Sequence, residues 1–193
     1  MAGTMRDRLL ALVKRPLAFV AARRLIREQS GAAAVEFAMV AAPFLAMVFA
    51  IMETAIVFYA GQVLETAAAE SSRLIMTGQA QTQGYTQAKF KEAVCTKVYA
   101  LFDCNGKFYV DVKSYTTFAE VNVGKPVVDG SGNVQAGDFD FKPGCPGNIV
   151  VVRLVYQWPV YVSLLGLNLS DTGGSTRLLM STVAFRNEPY GTC

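Results

Sequence analysis

Histidine is absent from the 193 residues, so carboxylates and cysteines are the side chains best placed to do chemistry. Ordinary zinc sites, Ser–His–Asp catalysis and imidazole acid–base work all lose their main actor. The most telling carboxylate is Glu36, five residues after Gly31, at the head of the apolar run GAAAVEFAMVAAPFLAMVFAIMETAIVFY (31–59). A carboxylate placed early in a hydrophobic helix is costly and marks a functional site by default. The order glycine, small or apolar residues, Glu36, aromatic Phe37 reads as a processing signature, in which the chemistry is done to the chain. The other reading is an interfacial acid near a helix N-terminus, favoured by the macrodipole.

The cysteines come next. Cys95, Cys104, Cys145 and Cys193 all follow the apolar run. If that part is exported it meets an oxidising compartment, where an even number of cysteines favours disulfides over metal or redox roles. Four cysteines allow three pairings. Their spacings do not suit zinc, and no CxxC is present. Other candidates carry less. Asp138 and Asp140 in DFDF alternate onto one side of a short strand and are expected to be solvated. Gly130–Asn133 (GSGN) sits in a polar loop with no helix to present to a phosphate. Arg153 and Gln157 share a strand face expected to be solvated, with a subunit contact as the other reading. Tyr156, Trp158 and Tyr161 form an aromatic cluster expected to pack in the core or at an edge.

These residues need elements to position them. No charged residue occurs from Phe37 to Met52, and the run resumes after Glu53. A spanning helix needs about 20 apolar residues, and Glu36 and Glu53, about 25 Å apart at 1.5 Å per residue, would then reach toward the two headgroup layers. Pro43 is tolerated in a membrane helix, and Tyr59 fits an outer-interface anchor. A buried core helix and a secretory signal peptide are the alternatives. The latter fits poorly, because the processing residues precede the hydrophobic run. Small residues such as Ala38, Ala42, Ala46 and Ala50 suit close helix–helix approach in lipid.

Composition agrees. The hydrophobic content is 52%, only 17% of residues are charged, and mean hydropathy is +0.31, a balance that argues against extensive disorder. The net charge of +3 is unevenly spread. Arg6, Arg8, Lys14, Arg15, Arg23, Arg24 and Arg27, set against Asp7 and Glu28, leave about +5 in residues 1–31 and about −2 beyond. The basic leader predicts a cytoplasmic N-terminus and an exported C-terminal part. Its apolar portion, 9–26, is expected to lie on the membrane surface. No basic stripe interleaved with aromatics points to nucleic acid.

Beyond the span, helical patterning continues through 61–79, with Glu65 and Glu70 polar and Val63, Leu64, Ala67 and Leu74 apolar. A second amphipathic helix is expected over 87–102, with Phe90, Val94, Val98 and Leu101 on one stripe, ended by a turn at Asn105-Gly106. From Lys107 the period shifts to alternation over 107–123, 148–162 and 175–190, with an irregular loop or hairpin tip over 124–138. Pro159 marks an edge or bend at the end of the second long strand. The predicted fold is α+β: a long N-terminal transmembrane helix continuing into an exported domain, with a helix packed on a small, mainly antiparallel sheet of three or four strands, stapled by disulfides. The expected organisation is a cleaved leader (1–31), a membrane helix (32–59) and an exported domain (60–193).

The processing signature, with CTKVYALFDC, FYVDV, PGCPGNIVVVRLVYQWPVYV, GLNLS and TRLLMSTVAFRNEPY further along, resembles the TadE-like family of minor pilins (pseudopilins) of the tight-adherence, or Flp, pilus system. The likeness runs from about Ser30 to Tyr190, loops excepted. The resemblance implies cleavage between Gly31 and Ala32 by a membrane prepilin peptidase, leaving Glu36 fifth and Phe37 sixth in the mature chain. Phe37 stands where Flp pilins often carry tyrosine. The expected disulfides are Cys95–Cys104, tying a helix to its following turn, and Cys145–Cys193, pinning the C-terminal residue to the PGCPG turn. Family members commonly have glycine near Cys145, so these two cysteines read as a matched addition, and a free Cys193 joining subunits is the alternative.

The function implied is that of a non-enzymatic minor pilin in the bacterial inner membrane, with its domain in the periplasm, helping to assemble or initiate a pilus with roles in adhesion and biofilm formation. Implied partners are the prepilin peptidase, another minor pilin of the same system, the major Flp pilin and the inner-membrane assembly platform. No cofactor and no metal are expected. Two other classes stay open: a membrane-anchored binding or adhesive module outside any pilus, and an envelope enzyme using carboxylates.

Overall fold

The computed structural model describes residues 29–98, 101–135, 137, 139–161 and 168–191. The leader up to residue 28, Asp138 and Cys193 lie outside the described residues. The chain divides into two compact units at Val48/Phe49, a boundary that falls within the first helix, α1 (Gln29–Met76). The first unit contributes the helix up to Val48. It is helical because alanine and long apolar side chains dominate, and Pro43 within it removes only one backbone donor.

The second unit begins with the rest of α1 and continues through α2 (Gln79–Thr82), α3 (Gln87–Val98), β1 (Phe108–Tyr115), a 3₁₀ turn (Phe118–Glu120), β2 (Ile149–Pro159) and β3 (Thr176–Arg186). The strands form one antiparallel sheet in the order β1-β2-β3, so the expected α+β class and small antiparallel sheet are what the chain adopts. In α1, Val57, Ala60, Leu64, Ala67, Ala68, Ser71 and Ile75 are buried, a stripe at helical spacing. In α3 the buried residues are Phe90, Val94 and Val98, three of the four expected, and Leu101 packs beside them just beyond the helix.

Strand alternation supplies the other half of the core. Phe108, Val110 and Val112 of β1 and Val150, Val152, Leu154, Tyr156 and Trp158 of β2 join the helical stripes in one hydrophobic cluster. The disulfide Cys95–Cys104 spans 6.1 Å between Cα atoms and ties α3 to the turn before β1. Beside it Phe102 packs edge-on against Tyr156 and Trp158, with ring centroids 4.7 and 6.0 Å away. Tyr161, expected in the same aromatic cluster, is instead 81% exposed.

Pro159 ends β2 for a definite reason. The Gln157 N–H faces the β1 side and donates to Lys107 O at 3.1 Å. Two residues later a donor at 159 would face the same side, past the end of β1, so the missing proline N–H breaks no ladder bond. The other edge of β1 is partly covered by Asp140–Lys142: the Val112 N–H donates to Asp140 O and the Lys142 N–H to Val112 O, both at 2.8 Å. The start of the outer edge of β3 is capped by Asp171, whose N–H donates to Thr176 O at 3.2 Å and whose Oδ1 accepts the Leu178 N–H at 2.8 Å.

Candidate functional site

Gly31, Ala32, Glu36 and Phe37 all lie in the first turns of α1, and all are exposed. Phe37 is 75% exposed, and a side chain at Gly31 would meet nothing within 4 Å. Large apolar side chains, among them Met39, Val40, Phe44, Leu45 and Met47, are likewise uncovered. Each such side chain gains about 1.5–3 kcal/mol on leaving water, so this stretch needs a non-aqueous environment or a partner surface. The helix is long and apolar enough to cross a membrane, and almost none of its most apolar window is buried. A core helix of a soluble protein would show the opposite, which removes that alternative.

Glu53 departs from the sequence reading. It was expected to reach toward headgroups, yet it is only 7% exposed, and its Oε1 accepts the Tyr161 backbone N–H at 2.8 Å. The carboxylate thus ties the segment leaving β2 to α1. A lone acid amid apolar residues was the available signal, but it gave no hint of the partner. Next to this contact, Thr54, Phe58, Gln62 and Glu65 of α1 and Arg177 and Met180 of β3 line an open groove of about 490 Å³.

The sheet face away from the helices is a second correction. Arg153 and Gln157 were expected to be solvated, but they are only 7% and 3% exposed. Arg153 Nη2 donates to Asp111 Oδ2 at 2.7 Å, and its Nη1 donates to the Gly124 carbonyl. Gln157 Nε2 donates to Gly132 O at 2.7 Å. The 124–135 segment therefore closes over polar strand residues, which bind its carbonyls. Its tip is a small hairpin with the bridge Val128–Val134, and Asp129 accepts the N–H groups of Ser131 and Asn133. These bonds, that from Asn133 foremost, hold the Asp129 carboxyl below the usual carboxylate range.

A polar knot at the end of the chain was not foreseen as such. Tyr190 Oη accepts from Gln81 Nε2 at 2.6 Å and from Asn187 Nδ2 at 3.0 Å. Asn187 Nδ2 also donates to Pro143 O and Cys145 O, while the Glu188 N–H donates to Met76 O at the C-terminus of α1. Burial pushes the Tyr190 phenol up. FRNEPY was conspicuous in the sequence, but only as wording. Its role is to lock the end of α1 to the turn around Cys145.

None of Cys95, Cys104 and Cys145 is a free thiol, and Cys193, the expected partner of Cys145, lies outside the described residues. Among the described residues no group of three or more acids or cysteines is arranged to hold a metal ion.

Comparison with known proteins agrees with the N-terminal reading. A family model described as TadE-like protein matches residues 31–73, a stretch that contains Gly31, Glu36 and Phe37 and most of α1. The family-like wording further along falls outside the matched residues. No curated protein and no solved structure matches the chain.

Proposed function

We propose, from the TadE-like match over residues 31–73, that this chain is a minor pilin of a tight-adherence (Flp) pilus system. The observation that carries the reading is an apolar helix left uncovered in the N-terminal part of the stretch that matches the family. In this account a prepilin peptidase cuts between Gly31 and Ala32 on the cytoplasmic side of the inner membrane. The uncovered apolar part of α1 from residue 32 then remains as the membrane helix, its expected end at 59 drawn back because Glu53 and Val57 pack into the periplasmic domain, which runs on to 193.

Cleavage removes the leader cations that hold the N-terminus in the cytoplasm, and it creates an α-amino group at the hydrophobic edge. Glu36, one helical turn away in the same chain or supplied by a neighbour, compensates that charge where water is scarce. Phe37 and the other uncovered apolar residues supply the lateral packing surface. The role is structural rather than catalytic, in assembling or initiating the filament. Its partners are the peptidase, a second minor pilin, the major pilin and the inner-membrane assembly platform, and adhesion and biofilm formation follow from the filament.

The deciding measurement is mass spectrometry of the mature N-terminus in cells with and without the peptidase. A species beginning at Ala32 that disappears without the enzyme supports the proposal. An intact leader in piliated cells overturns it.

A further inference from the structure

The loop that closes over the outer sheet face leaves a cleft of about 400 Å³ between itself and β1, within the range of small-molecule sites, about 300–1,000 Å³. Its charged wall residues are Lys113, Lys125 and Arg153, all cations. Asp111, behind the wall, takes up the Arg153 charge at 2.7 Å and lies 3.7 Å from Lys113 Nζ. The nearby Asp140 is paired with Lys142. Among the described residues the lining itself carries three cations and no acid, Glu120 is engaged by the Thr116 N–H and Asp129 by the loop tip, and Lys125 has no ion-pair partner.

The rest of the wall has a definite chemistry. The side-chain amides of Asn122 and Gln135 line the cleft and make no hydrogen bond among the described residues, while Tyr115 and Phe139 supply aromatic surface. The walls are held in place beforehand. Tyr115 Oη donates to Asn122 O at 3.3 Å, the Gln135 N–H donates to Val127 O at 2.9 Å, and the Arg153 guanidinium lies 5.5 Å from the centroid of the Phe139 ring while binding the Gly124 carbonyl.

We infer that this cleft binds an acidic saccharide, a short oligomer of uronate sugars. The unpaired Lys125, with Lys113 and Arg153 on the same wall, matches carboxylates, the amides match ring hydroxyls, and aromatic faces match the C–H faces of pyranose rings. A compact phosphate is a poorer fit, because phosphate sites converge several backbone N–H groups on one ion, whereas here the donors are spread along a polar trough. The inference rests on the described wall residues of β1, β2 and the covering loop and holds whether or not the chain enters a pilus.

The test is calorimetric titration of the full-length protein in detergent with trigalacturonate at low salt, with a neutral galactose trisaccharide and inorganic phosphate in parallel. The sugar acid should bind at least about tenfold more tightly than either control, and more weakly as salt rises. Lys125→Gln, an exposed change that leaves the thermal transition in place, should weaken the sugar acid by about tenfold. No binding, equal binding of the neutral sugar or phosphate, or affinity untouched by Lys125→Gln would each overturn the inference.

Discussion

Tyr190 lies directly against Gly78: a Cβ placed on Gly78 would fall 2.2 Å from the tyrosine Cγ, and the glycine sits at φ 77°. Gly78 joins α1 to α2, so the turn needs a residue that is both left-handed and without a side chain. Gly78→Ala should therefore destabilise the domain by about 3 kcal/mol, combining backbone strain with overpacking. Tyr190→Phe keeps the ring but removes the hydroxyl that accepts from Gln81 and Asn187 and donates to Gly144 O, and should cost about 1–2 kcal/mol. Denaturant unfolding followed by near-UV circular dichroism separates the two. Equal stability of Gly78→Ala and the parent protein would refute the packing argument.

The pair Arg153–Asp111 is buried on the outer sheet face, with side chains 9% and 6% exposed. Removing one partner leaves a buried charge, so Asp111→Ala should cost about 3–5 kcal/mol. The double change Asp111→Val with Arg153→Met should recover much of that loss. A double-mutant cycle measures it. Additive losses would mean that the two side chains do not depend on each other.

The Tyr161 N–H donates a single bond to the buried Glu53 carboxylate. Glu53→Gln keeps an acceptor and should leave exchange of the Tyr161 amide slow. Glu53→Ala removes it and should speed that exchange roughly tenfold or more, a loss of about 1–3 kcal/mol of local protection. Equal exchange in both variants would show that the bond does not hold the segment.

Acid should loosen the loop tip. The Asp129 carboxyl is lowered from 3.8 by N–H bonds from Asn133, then Ser131 and Gly132, and Asp140 is lowered by Lys142, then Phe141. A depressed carboxylate contributes stability that is fully present above its unfolded value and is lost as pH falls through the folded one. Melting temperature should thus fall below about pH 4, and less steeply in the Asp129→Asn, Asp140→Asn double variant. Parallel curves for the two proteins would count against this assignment. Both groups are near the surface, so the difference should be small and should shrink in high salt.

Much of the architecture was already legible in residue order. Period 3.6 over 61–79 and 87–102, of which the second helix keeps 87–98, alternation over three later stretches and an unbroken apolar run each reflect local geometry that every segment carries on its own. The uncovered helix head belongs with these, since Phe37 and Phe44 stay exposed among the described residues. What residue order could not supply was pairing across long separations. Arg153 and Gln157 looked solvated because alternation assigns a face without saying what covers it, and the cover is a loop whose carbonyls satisfy them. Glu53 looked interfacial because hydropathy counts neighbours along the chain, whereas its partner is 108 residues away. Local periodicity sets which side chains share a face. Only the closed tertiary structure decides whether that face meets water, lipid or another part of the same chain, because the cost of burying a polar group is settled by the partner that reaches it.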